Sequence, residues 1–140
     1  MSLALTLALT LALALVIAIG STVSFAQNKK INTEKRSINW VGKKVTDEHS
    51  GTMKYQRGTL VFDKNELKGG RFVVDMTSIK VTDLAGIGKL EGHLKADDFF
   101  GTDKFTTTCL YFNKIGARGN RVYIVTAVMT IKGITNPATF

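Results

Sequence analysis

Leu67-Lys68-Gly69-Gly70-Arg71-Phe72-Val73-Val74-Asp75-Met76-Thr77-Ser78-Ile79 is the stretch that decides the fold. Phe72, Val74 and Met76 share one face of an extended chain, opposite Arg71, Val73, Asp75 and Thr77. Side chains alternate across a β-strand, so this period of two marks a strand with one apolar face. The same period recurs on both sides. Ile38 and Trp40 alternate with Ser37, Asn39 and Val41; Leu60 and Phe62 alternate with Thr59, Val61 and Asp63. Leu110 and Phe112 share a further face, and Val122 to Ile131 is a β-branched run apolar on both faces. Asp63-Lys64-Asn65-Glu66 and Gly116-Ala117-Arg118-Gly119-Asn120 have turn compositions between such runs. Strands are therefore predicted over 37–45, 52–63, 67–80, 105–114 and 121–131, with a sixth beginning near Thr135.

Between the third and fourth of these, Leu84, Ile87, Leu90 and Leu94 fall at helical spacing behind Asp83, a candidate N-cap. Gly86, Gly88 and Gly92 each weaken a helix by ~1 kcal/mol relative to Ala, so only a short helical insertion is expected. Antiparallel strands with one helical excursion make an all-β fold, a barrel or a sandwich.

Charge divides the 140 residues in two. The first 28 carry no ionisable side chain, so all 19 Lys and Arg and all 11 Asp and Glu lie from Lys29 onward. Leu3 to Ile19 is apolar except for Thr6 and Thr10, and Ser24-Phe25-Ala26 places small residues ahead of Gln27. That is the pattern of a signal peptide over 1–26, cut after Ala26, although no positive residue opens it. An uncleaved anchor is the rival reading, since the run is at the lower edge of what spans a bilayer. Residues 27–140 then form one domain, with too many apolar side chains to be disordered.

Five strings in register give the domain a resemblance. They are His49-Ser50-Gly51-Thr52-Met53 leading into Gly58-Thr59-Leu60-Val61-Phe62, the Leu67–Ile79 stretch, Leu90-Glu91-Gly92-His93-Leu94-Lys95-Ala96-Asp97-Asp98-Phe99-Phe100, and Thr130-Ile131-Lys132-Gly133-Ile134-Thr135-Asn136-Pro137. In this order and spacing, from about Ile31 to Phe140, they resemble the YceI-like family of exported bacterial proteins. The resemblance implies an antiparallel, lipocalin-like β-barrel of eight strands, periplasmic, with a long apolar lumen holding an amphiphile such as a polyisoprenoid chain. Thr106 and Ala127 stand where that family commonly has Pro and Gly; both are compatible with strands. The readable strands fall short of eight. The barrel is therefore expected to be incomplete, its final strands missing, with an open sheet edge that invites pairing with a partner or a second copy.

A lumen needs inward apolar side chains and a few polar groups at its mouth. The candidates are Trp40, Leu60, Phe62, Phe72, Val74, Met76, Leu110 and Phe112, with Phe99 and Phe100 at a gate and His49 as a head-group contact. Period-two stripes look the same in a hollow barrel and a packed one, so a filled core stays open as the alternative. No metal or cofactor is expected. His49 and His93 have carboxylates only one or two residues away, and adjacent strand residues point apart. No nucleophile motif is present, Cys109 has no Cys partner, and the protein is read as a non-enzyme. The net charge of +8 is scattered rather than clustered as nucleic-acid binding requires. It serves a solvated surface, an anionic membrane surface or a ligand's pyrophosphate equally well. The expected function is binding of an isoprenoid-type lipid. The alternative is a structural or interaction protein, or a non-functional fragment, whose open edge pairs with a partner or itself.

Overall fold

The computed structural model describes residues 25–83 and 87–140. The leader up to Ser24 lies outside the described residues, as do Leu84 and Gly86 of the expected helix. The rest is all-β: seven strands in one antiparallel sheet, with one short helix. They are β1 (Gln27–Lys30), β2 (Ser37–Lys43), β3 (Glu48–Asp63), β4 (Glu66–Val81), β5 (Thr107–Gly119), β6 (Val122–Ile131) and β7 (Ile134–Thr139); the helix α1 is Lys89–Lys95. The sheet runs β1-β3-β4-β5-β6-β7, and β2 shares the outer edge of β3 with β1. Among the described residues the sheet is not closed, consistent with an unclosed lipocalin-like barrel.

Two differences from the expected strands have local causes. Residues 27–30 form a strand although Gln-Asn-Lys-Lys has no apolar alternation; they pair with Thr59–Phe62 because β3 runs past the end of β2 and leaves those backbone groups to be satisfied. This extra strand places the helix between β4 and β5, not between the third and fourth strands. The Gly116–Gly119 segment, read as a turn, continues β5 through two bulges, and the chain reverses only at Asn120-Arg121. The β3–β4 and β6–β7 hairpins do close as tight two-residue turns. Lys64 and Asn65 have φ of 48° and 65°, and Lys132 and Gly133 have φ of 51° and 73°, the left-handed pair that suits twisted strands.

The helix is shorter than its apolar spacing suggested. Ile87 lies outside it and is 58% exposed, while Leu94 packs onto the core. Gly88, not Asp83, occupies the N-cap position and makes no side-chain cap. Asp83 is engaged elsewhere: its carboxylate accepts from the Ser50 N–H at 2.9 Å and lies 3.0 Å from His49 Nδ1. These bonds, with the Thr82 N–H donating to the Ser50 carbonyl, tie the start of the insertion to β3. Its helix is tied to β4, where the Val81 N–H donates to Glu91 Oε2 at 3.0 Å.

Under the helix the sheet carries a densely packed cluster. Val74, Met76 and Ile79 are buried, and Ile38, Met53, Tyr55, Leu94 and Phe100 pack against them. At Gly51 the indole of Trp40 and the Lys80 carbonyl occupy the space a Cβ would need. At Gly70 the Phe112 ring does so, 2.6 Å from the position of an added Cβ. Both glycines let an aromatic side chain lie flat across the sheet.

Candidate ligand-binding site

On the face that carries Phe72, Val74 and Met76 the sheet is hollowed into cavities that share walls. The central one, about 420 Å³, is lined by Ile38, Met53, Tyr55, Phe72, Val74, Met76, Phe100, Thr108, Leu110, Phe112, Met129, Ile131 and Phe140. Toward the helix it shares Met53 and Phe100 with a cavity of about 230 Å³ bounded by Trp40, Gly42, Ile79, Leu94 and Phe99. Toward β7 it shares Phe100, Met129 and Ile131 with a third of about 500 Å³. Toward β1 it shares Tyr55 and Phe72 with a fourth of about 640 Å³, bounded by Lys29, Lys30, Ile31, Asn32, Arg36, Ser37, Leu60 and Phe62. Three of the four volumes are of the size that holds a small organic ligand.

The floor is aromatic. Rings of Tyr55, Phe72, Phe112 and Phe140 follow one another across the sheet at centroid separations of 5.7, 5.8 and 5.8 Å. Such spacing lets tilted rings attract edge to face. Three of the protein's four methionines, Met53, Met76 and Met129, complete the walls. Unbranched thioether side chains repack easily, which suits a surface that must fit a flexible chain. At the helix end Phe99 and Phe100 meet edge to face at 4.6 Å and border three of the four cavities between them.

All ten apolar side chains singled out from the sequence line this trough: Trp40, Leu60, Phe62, Phe72, Val74, Met76, Phe99, Phe100, Leu110 and Phe112. His49 lies apart from all four cavities, held at Asp83 with its side chain 20% exposed. The sequence reading missed Ile38, Met53, Tyr55, Met129 and Ile131. Ile38 was in plain view on its strand. Met53 and Tyr55 were masked by bulges in the β3–β4 pairing, between Thr52 and Lys54 and between Tyr55 and Arg57, which interrupt the period. Met129 and Ile131 belong to a strand apolar on both faces, where alternation carries no signal.

Two polar atoms are stranded in this apolar setting. Trp40 Nε1 and Thr108 Oγ1 are buried with no hydrogen-bond partner among the described residues. Charge is confined to the margins, where Lys29 Nζ lies 5.0 Å from the Phe62 ring centroid, a cation held against the apolar floor. Chemically the arrangement offers apolar surface that can take apolar groups out of water. A family model described as the YceI-like domain matches residues 29–140. No curated protein matches the chain.

Proposed function

The chain belongs to the YceI-like domain family, and from that premise we propose that it is a binding protein, not an enzyme, which holds an isoprenoid-type lipid along the trough. The observation that carries this is the continuity of the cavities, each sharing side chains with the central one. Along β4 the lining of the trough runs from Phe72 to Ile79, seven strand steps and roughly 23 Å. That is a fit for an extended chain rather than a compact metabolite. Each methylene buried there contributes ~0.8 kcal/mol, so affinity grows with chain length until the trough is full. Export to the periplasm by the apolar leader belongs to the same proposal, as does transient contact of the basic surface with anionic membrane.

Native mass spectrometry of protein purified from bacteria tests the reading. The expected spectrum contains a species heavier by the mass of one prenyl lipid, which exchanges with an added prenyl alcohol. Protein that neither retains nor takes up such a chain would refute it.

A second reading is favoured by a different observation. The outer edge of β7 pairs with no described strand, and Ile134 and Phe140 beside it are 64% and 59% exposed. An edge of this kind adds a strand from a partner or a second copy.

A further inference from the structure

Charge is distributed unequally between the two ends of the trough, and from that asymmetry we propose that the ligand carries a phosphate-type anionic head. The head sits where β1 passes into β2, and the chain runs from there toward Phe100. This deepens the lipid-binding reading and rests on it.

The cavity at that end has Lys29, Lys30 and Arg36 on one side and Tyr55, Leu60, Phe62 and Phe72 on the other. It has no acidic residue in its lining, and none of the ion pairs between described residues uses any of the three cations. At the helix end the charges are already matched. Glu91 faces Lys95 at 3.4 Å, Asp97 faces Lys104 at 3.3 Å, Asp98 faces His93 at 3.8 Å, and Asp83 faces His49. The Lys132 ammonium donates to the Asp97 carbonyl. An anion entering there would meet carboxylates, whereas the cavity at β1 has cations and no carboxylate in its lining.

The cationic end is also built, not a loose run of lysines. Residues 31–36 cross the flank of β3 and are fastened to it. The Ile31 N–H donates to the Gly58 carbonyl at 3.0 Å, and the Ile31 side chain fills the space over Gly58, 2.7 Å from where a Cβ would stand. Asn32 Oδ1 accepts from the N–H groups of Glu34 and Lys35 at 3.0 and 3.1 Å, which folds the connector back so that Arg36 returns to the cavity. Lys29 is laid against Phe62. Lys29 and Arg36 bring like charges to one cavity, and a multiply charged head offsets both, which a neutral alcohol cannot. Phosphate oxygens accept from the Lys29 ammonium and the planar Arg36 guanidinium, with Ser37 and Asn32 beside them.

Isothermal titration with geranylgeranyl diphosphate, geranylgeraniol and inorganic diphosphate tests the proposal, using the wild type and the Lys29→Gln/Arg36→Gln double variant. Both residues are exposed, and a thermal unfolding curve checks that the variant is folded. The expected result is that the wild type prefers the prenyl diphosphate over the alcohol by on the order of tenfold at low salt. That preference should shrink toward one in the double variant and at high salt, where screening shortens the reach of the cations. Equal affinity for the two lipids in the wild type, or a preference that persists in the variant, overturns the head-group proposal and leaves the lipid reading standing. Inorganic diphosphate binding as tightly as the prenyl compound also overturns it, since the site would then serve a free anion. If neither lipid binds, both readings fall together.

Discussion

Thr108 and Trp40 bring two buried polar atoms into a wall that is otherwise apolar. An unpaired buried hydroxyl carries its full desolvation cost, so replacing it with a methyl of the same shape is favourable. Thr108→Val is expected to stabilise the fold by about 1 kcal/mol, read as a higher urea midpoint with an unchanged slope. A destabilised variant would mean that the Thr108 hydroxyl is satisfied in solution. Legibility at this scale was uneven. Phe72 and Val74 announce themselves through alternation, because β4 has one apolar face over that span. Lys29, Lys30 and Arg36 look like any other basic residues until the connector folds them over one cavity. Nothing in their spacing reports that.

At the scale of elements, α1 is seven residues with no buried side chain and no N-terminal side-chain cap, too short to persist by itself. Its attachment to β4 matters more than its propensity. The Val81 N–H donating to Glu91 holds that carboxyl below its ordinary value of 4.5; partial burial opposes the shift, and the Lys95 ammonium reinforces it. Because the folded-state pKa is lowered, the carboxylate's contribution is complete above the ordinary value and disappears as pH falls through the lowered one. Wild type is thus expected to exceed Glu91→Gln in stability at neutral pH, with the gap narrowing progressively below about pH 4.5. Urea unfolding at a series of pH values checks this, and a gap that does not depend on pH would contradict it. The helix was visible in Leu90 and Leu94 but its start was not. Asp83 has the composition of a cap, and its carboxylate is instead drawn to the Ser50 amide and His49, partners more than thirty residues away. Likewise β1 has no apolar signature and exists because β3 offers it an edge.

Considered whole, the molecule presents an apolar trough in an open sheet, and the sheet edge at β7 is partly defended. Val125 and Phe140 exchange both backbone hydrogen bonds, so by alternation the backbone groups of Thr135, Pro137 and Thr139 face outward from β7. Pro137 has no N–H, which removes the middle donor from the row that an incoming strand would use. Pro137→Thr restores that donor and is expected to convert a monomer into a concentration-dependent oligomer, measured by size-exclusion chromatography with light scattering. A wild type that is already a discrete dimer would favour the edge-pairing reading instead. By itself the sequence determined the all-β class, the strand faces and the apolar side chains of the trough, because period two is a local property that side-chain order imposes directly. Only the tertiary structure decided that these faces enclose linked cavities instead of a filled core. It alone decided that Lys29 and Arg36 meet over one cavity while Glu91, Asp97 and Asp98 are paired at the other end. Volume and charge complementarity arise between strands distant in the chain, and no local pattern encodes them.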